Sequence, residues 1–100
     1  MREIEVAVAA DARLDGAEAL IEAVCAAEGL RLTLKGTLKA YPGCVHWHYK
    51  LGKEAGTLEI TLWAAKRRIW FKVSAGRQGA WMEGAIERLK ANIEMDLGQF

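Results

Sequence analysis

Apolar and polar residues along this 100-residue chain follow two different periods, and the switches between them predict its elements. Ile4, Val6 and Val8 alternate with Glu3, Glu5 and Ala7, a period of two that marks a half-buried strand. Asp15-Gly16-Ala17-Glu18 then reads as a helix start, with Asp15 as N-cap and Glu18 three residues on. Leu20, Ile21, Val24 and Ala27 share one side of that helix, and Gly29 supplies its stop. From Leu30 to Ser74 the period returns to two. Leu30, Leu32, Leu34, Leu38 and Ala40 alternate with Arg31, Thr33, Lys35, Thr37 and Lys39. Tyr41-Pro42-Gly43-Cys44 predicts a type II turn, because Pro fixes φ and Gly accepts a positive one. Val45, Trp47, Tyr49 and Leu51 form the next apolar set. Leu58, Ile60 and Leu62 follow a turn near Lys53-Glu54-Ala55-Gly56, and Ile69, Phe71 and Val73 follow one at Ala65-Lys66. Between about Gln78 and Asp96, Met82, Ile86, Leu89, Ile93 and Leu97 recur at helical spacing.

Turn lengths convert these strands into a register, and a one-residue slip would exchange their faces. The last turn sets Leu62 against Ile69, Ile60 against Phe71 and Leu58 against Val73. On the other face it sets Trp63 against Arg68, Thr61 against Trp70 and Glu59 against Lys72. A four-residue loop before it pairs Leu51 with Leu58, Tyr49 with Ile60 and Trp47 with Leu62. The Pro-Gly turn pairs Ala40 with Val45, Leu38 with Trp47 and Gly36 with Tyr49, whose ring would cover the bare glycine. All three hairpins agree on which face is apolar.

The expected fold is therefore a single α+β domain over residues 1–100: strand, helix, four-stranded antiparallel meander, helix, with both helices on one sheet face. In element order this resembles the arrangement shared by TATA-binding-protein repeats and helix-grip proteins. The resemblance spans nearly the whole chain but rests on no motif, and element order carries no function. Its helix-grip side implies a ligand cavity under the last helix. Trp47, Tyr49, Phe71 and Trp81 are large enough to fill that space as core instead.

Composition narrows the class. No stretch approaches the roughly 18 apolar residues of a membrane span, and Glu3 and Glu5 interrupt the N-terminal apolar run, so a cytoplasmic protein is expected. Cys25 reads as core filler and Cys44 as a partly exposed thiol. The net charge of +1 conceals a segregation. Residues 31–77 hold ten Lys or Arg and two acids, a net +8, and the remainder holds four and eleven, a net −7. Such asymmetry speaks about partners.

The outward face gathers the chemistry. Its expected rows are Lys39, His46, Trp63 and Arg68; then Thr37, His48, Thr61 and Trp70; then Lys35, Lys50, Glu59 and Lys72. The reading drawn from these rows is a small non-enzymatic binding module. Trp63 and Trp70 would stack, with Trp70 left largely uncovered. Lys39, Lys50, Arg68 and Lys72 would hold charge, and His46 and His48 would supply hydrogen bonds. The partner class is single-stranded nucleic acid or another polyanion. Trp63 against Arg68 would also make a cation–π pair. The alternatives are a structural or homo-oligomeric protein, by face or by edge strand, and a His-based metal-dependent enzyme.

Cys44, His46 and His48 alternate in the manner of metal ligands, but three in a line along one strand are too spread to share an ion. A third ligand must come from a neighbouring strand, and Glu59, diagonal to His48, is the residue able to complete a two-histidine, one-carboxylate set. The surrounding cations argue against a divalent ion, so no metal, cofactor or catalytic residue is assigned. No glycine-rich phosphate loop occurs, and Ser74, the one serine, has no predicted acid nearby to orient a histidine partner.

Overall fold

The computed structural model describes residues 2–98. In chain order these form β1 (Arg2–Val6), α1 (Ala17–Ala27), β2 (Arg31–Gly36), β3 (Val45–Lys50), β4 (Leu58–Trp63), β5 (Arg68–Val73) and α2 (Met82–Leu97). One five-stranded antiparallel sheet results, ordered β1-β5-β4-β3-β2. The first strand closes the β5 edge, placing Glu5 beside Trp70 and Glu3 beside Lys72. Two acids therefore join the outward face. No described helix is long and apolar enough to cross a membrane.

The inward face is the core. Trp47, Leu58, Ile60, Ile69 and Phe71 are fully buried against Ile21, Cys25, Leu89 and Ile93 of the helices. Trp47 also donates its indole N–H to Glu22 on α1, at 2.9 Å. Large side chains thus occupy the space beneath the helices. Asp15 does not cap α1: Gly16 holds the N-cap position, with no side-chain cap bond. The other end follows expectation. Gly29 has φ +76, its N–H reaches Ala26 O, and Leu30 N–H reaches Cys25 O, the paired bonds of a Schellman stop. Near α2 a groove of about 270 Å³ is bordered by Arg2, Val73, Met82 and Glu83.

The β4–β5 register is the expected one at every position from Glu59↔Lys72 to Trp63↔Arg68. Its turn is a 3-10 turn at Ala64–Lys66 closed by Arg67 in the left-handed region, φ 54. The Arg67 guanidinium donates to the carbonyls of Ala9, Ala10 and Ala12, tying the turn to the segment after β1.

The β3–β4 pair departs by two residues: Tyr49 faces Leu58, Trp47 faces Ile60 and His48 faces Glu59. Side-chain faces are kept, because the slip is even, while every row moves. The cause lies outside the hairpin. Thr57 N–H bonds Arg77 O, Trp81 Nε1 bonds Ala55 O, and the backbone at Gly56 and Gly79 approaches too closely for a Cβ. The segment after β5 thereby holds residues 51–57 as a wider loop.

The β2–β3 pair departs further. Gly36 faces His46, Lys35 faces Trp47 and Leu34 faces His48, and a register shift between Leu34 and Leu32 returns Leu32 to Tyr49. This bulge flips Leu34–Gly36 relative to the expected faces. Lys35 accordingly leaves the outward surface and bridges Glu18 and Glu22 of α1, at 2.6 Å each. Leu34 takes the outward place and is 46% exposed. Lys39 stands exposed in the loop that follows β2.

Candidate metal centre

The Pro-Gly turn forms as expected, with Cys44 N–H on Tyr41 O and Gly43 at φ +82. It does not extend the ladder, however; it folds the loop over the outward face. Tyr41 sets its ring edge-on to both Trp63 and Trp70, 5.0 Å between centroids in each case. Trp63 Nε1 donates to Pro42 O at 3.0 Å. Arg68 lies over Trp70, 4.3 Å from the ring centroid, rather than over Trp63, and pairs with Glu5. Trp70 is consequently only 3% exposed, correcting the expectation of an open ring. Cys44 is buried too, its sulfur accepting from Leu38 N–H at 3.3 Å. Lys50 turns to Gly56 O and the Thr57 hydroxyl.

With the aromatics covered, the row shift in β3–β4 brings three ligand-type side chains together. His48 now lies directly opposite Glu59, with His46 two residues back on the same strand and diagonal to Glu59. The His46 and His48 Nε2 atoms are 3.1 Å apart, and Glu59 Oε1 is 3.4 Å from the first and 3.8 Å from the second. A tetrahedral ion held at roughly 2.0–2.1 Å by each donor spaces its ligand atoms by roughly 3.3–3.4 Å. The observed triangle is close to that size, its three atoms all lying within 4.8 Å of one another.

Neighbouring hydroxyls orient two of the three. His46 Nδ1 sits 2.8 Å from Thr61 Oγ1, and Ser74 Oγ donates to Glu59 Oε2 at 2.7 Å. In the tautomer in which Nδ1–H donates to Thr61, Nε2 is left unprotonated on the side of His48 and Glu59, as a metal ligand requires. Such outer partners are a regular feature of metal-binding histidines and carboxylates. His46 is 5% and Glu59 7% exposed, whereas His48 is half-buried, so the triangle opens to solvent on the His48 side.

Both imidazoles are held below the usual histidine value of 6.5, chiefly by burial. His48 and Lys72 add to this at His46, as does Arg77 at His48, while Glu59 opposes it at both rings. The two rings are thus neutral near pH 7, the form that binds a metal. A pH dependence follows for the metal-free protein. Between the depressed folded values and about 6.5 the unfolded chain binds more protons, so stability falls as pH drops through that window. Thermal melts from pH 7 to 5 should show this slope, and a His46→Asn/His48→Gln variant should lack it. Glu22 and Glu94, both held below the usual carboxylate value of 4.5, contribute only at lower pH.

The sequence placed His46, His48 and Glu59 on one face but did not bring them to one point. Thr61 and Ser74 were missed as orienting groups, because both roles depend on the observed row and on the path of the chain after β5. The outward set otherwise separates: Arg68 and Trp70 with Tyr41 at one end, Lys72 in the row of His48 and Glu59, Lys50 beyond that row, and Lys39 on the loop. Comparison with protein-family models, with curated proteins and with solved structures finds no match to this chain.

Proposed function

We propose that this protein binds a divalent transition metal, of the zinc type, through His46, His48 and Glu59. The observation that carries the reading is the triangle of donor atoms at 3.1, 3.4 and 3.8 Å, with outer hydroxyls on His46 and Glu59. Two imidazoles and one carboxylate suit zinc and its neighbours in the first transition series. Three protein ligands leave a coordination position open, the arrangement in which a metal can polarise a bound water or ligand.

The polyanion surface expected from the sequence has weaker support. Base stacking needs ring faces in solvent, and Trp70 has none while Trp63 is half-buried. Of its cations, Arg68 pairs with Glu5 and Lys35 with α1.

The test is elemental analysis together with a Zn²⁺ titration of the purified protein and of a His46→Ala/His48→Ala variant. One equivalent of metal in the wild type and none in the variant is expected. Equal and negligible metal in both would sink the reading.

A further inference from the structure

Glu59 has both its oxygens committed, Oε1 toward the histidines and Oε2 to Ser74. Lys72 stands directly across from it on β5, with Glu3 of β1 on its other side, yet among the described residues Lys72 forms an ion pair with neither. Arg77 is likewise free of an acidic partner among those residues. Its N–H bonds Ser74 O, so the guanidinium is carried on the turn whose serine orients Glu59. Lys72 lies within electrostatic reach of His46, and Arg77 of His48.

A divalent ion on two neutral imidazoles and one carboxylate leaves the centre at +1, beside two further positive groups that form no ion pair among the described residues, with Glu3 on β1 the one acid flanking Lys72 from the far side. Like charges at such range oppose the metal, unless an anion occupies the position that the protein leaves open. Resting on the metal-binding reading above, we infer that this open position takes a phosphate-type dianion, held jointly by the ion, Lys72 and Arg77. The dianion matches the charge better than a carboxylate would, because it offsets the centre and both side chains more completely. Metal and anion then bind as a coupled pair, each tightening the other by the same factor.

The experiment is a Co²⁺ titration followed by its visible absorption, in chloride alone, with methylphosphonate and with acetate. Methylphosphonate is expected to tighten Co²⁺ binding by about tenfold, inside the usual range for coupled sites, and acetate by much less. Lys72→Met should bind Co²⁺ more tightly than wild type in chloride and lose most of the methylphosphonate gain. Arg77→Gln, at an exposed position, should lose part of it. Absence of any Co²⁺ signal in all three buffers would overturn the metal reading itself. Co²⁺ binding that ignores methylphosphonate, or a gain surviving in Lys72→Met, would overturn the anion site alone. An equal gain from acetate would overturn its assignment to a dianion.

Discussion

Trp47→Ala is expected to remove about 3–5 kcal/mol of stability, the range for truncating a large aromatic in a packed core. A domain of this kind has roughly 5–15 kcal/mol in total, so the variant should populate unfolded chain at moderate temperature. The indole is fully buried at the centre of β3, between Lys35 on β2 and Ile60 on β4. Two losses combine at this site. The ring's volume becomes a cavity beneath α1, and Glu22 loses the indole donor that, after Lys35, does most to hold its carboxyl below the usual range. Trp47→Phe should cost well under half as much, since it keeps most of the volume and gives up only the donor. Urea unfolding of the two variants decides the matter: equal midpoints for Trp47→Ala and wild type would mean that the sheet is not packed as described.

Glu59→Gln carries the largest expected effect on binding. It keeps the shape and can still accept from Ser74, but removes the only negative charge in the ligand triangle. Loss of an outer-shell partner costs about 10–100-fold in metal affinity, and a ligand's charge should cost more than that. Thr61→Val gives the graded comparison. It leaves all three donors in place and deprives His46 Nδ1 of its partner, so about a 10–100-fold loss is expected, with Thr61→Ser restoring binding. A Glu59→Gln protein that binds Zn²⁺ as wild type does would refute the centre, whatever its stability.

The β4–β5 hairpin shows what local sequence settles. Its turn is short, its apolar positions are unbroken, and every cross-strand pair from Glu59 to Trp63 follows from spacing alone. The stop of α1 at Gly29 is equally local, because the motif is complete within six residues. The β2–β3 pairing shows the opposite case. Leu34 and Leu38 alternate with polar residues just as a core strand should, yet the loop leaves the ladder so that Tyr41 can cover Trp63 and Trp70, and a bulge absorbs the difference.

The candidate centre lies between these cases. Alternation with a period of two determines which face a strand residue occupies, and so His46, His48 and Glu59 were assigned to one surface by the sequence itself. Alternation says nothing about rows. An even slip preserves every face while exchanging every neighbour, and the sequence contains no local penalty against it. The row was decided by contacts remote in the chain, chiefly those holding the loop at residues 51–57 to the segment after β5. Those contacts set His48 against Glu59 and bring Ser74 within reach of its carboxylate. The stretch Cys44-Val45-His46-Trp47-His48 thus specified two faces of a strand by itself. The contact of its two histidines with Glu59 came only with the tertiary fold.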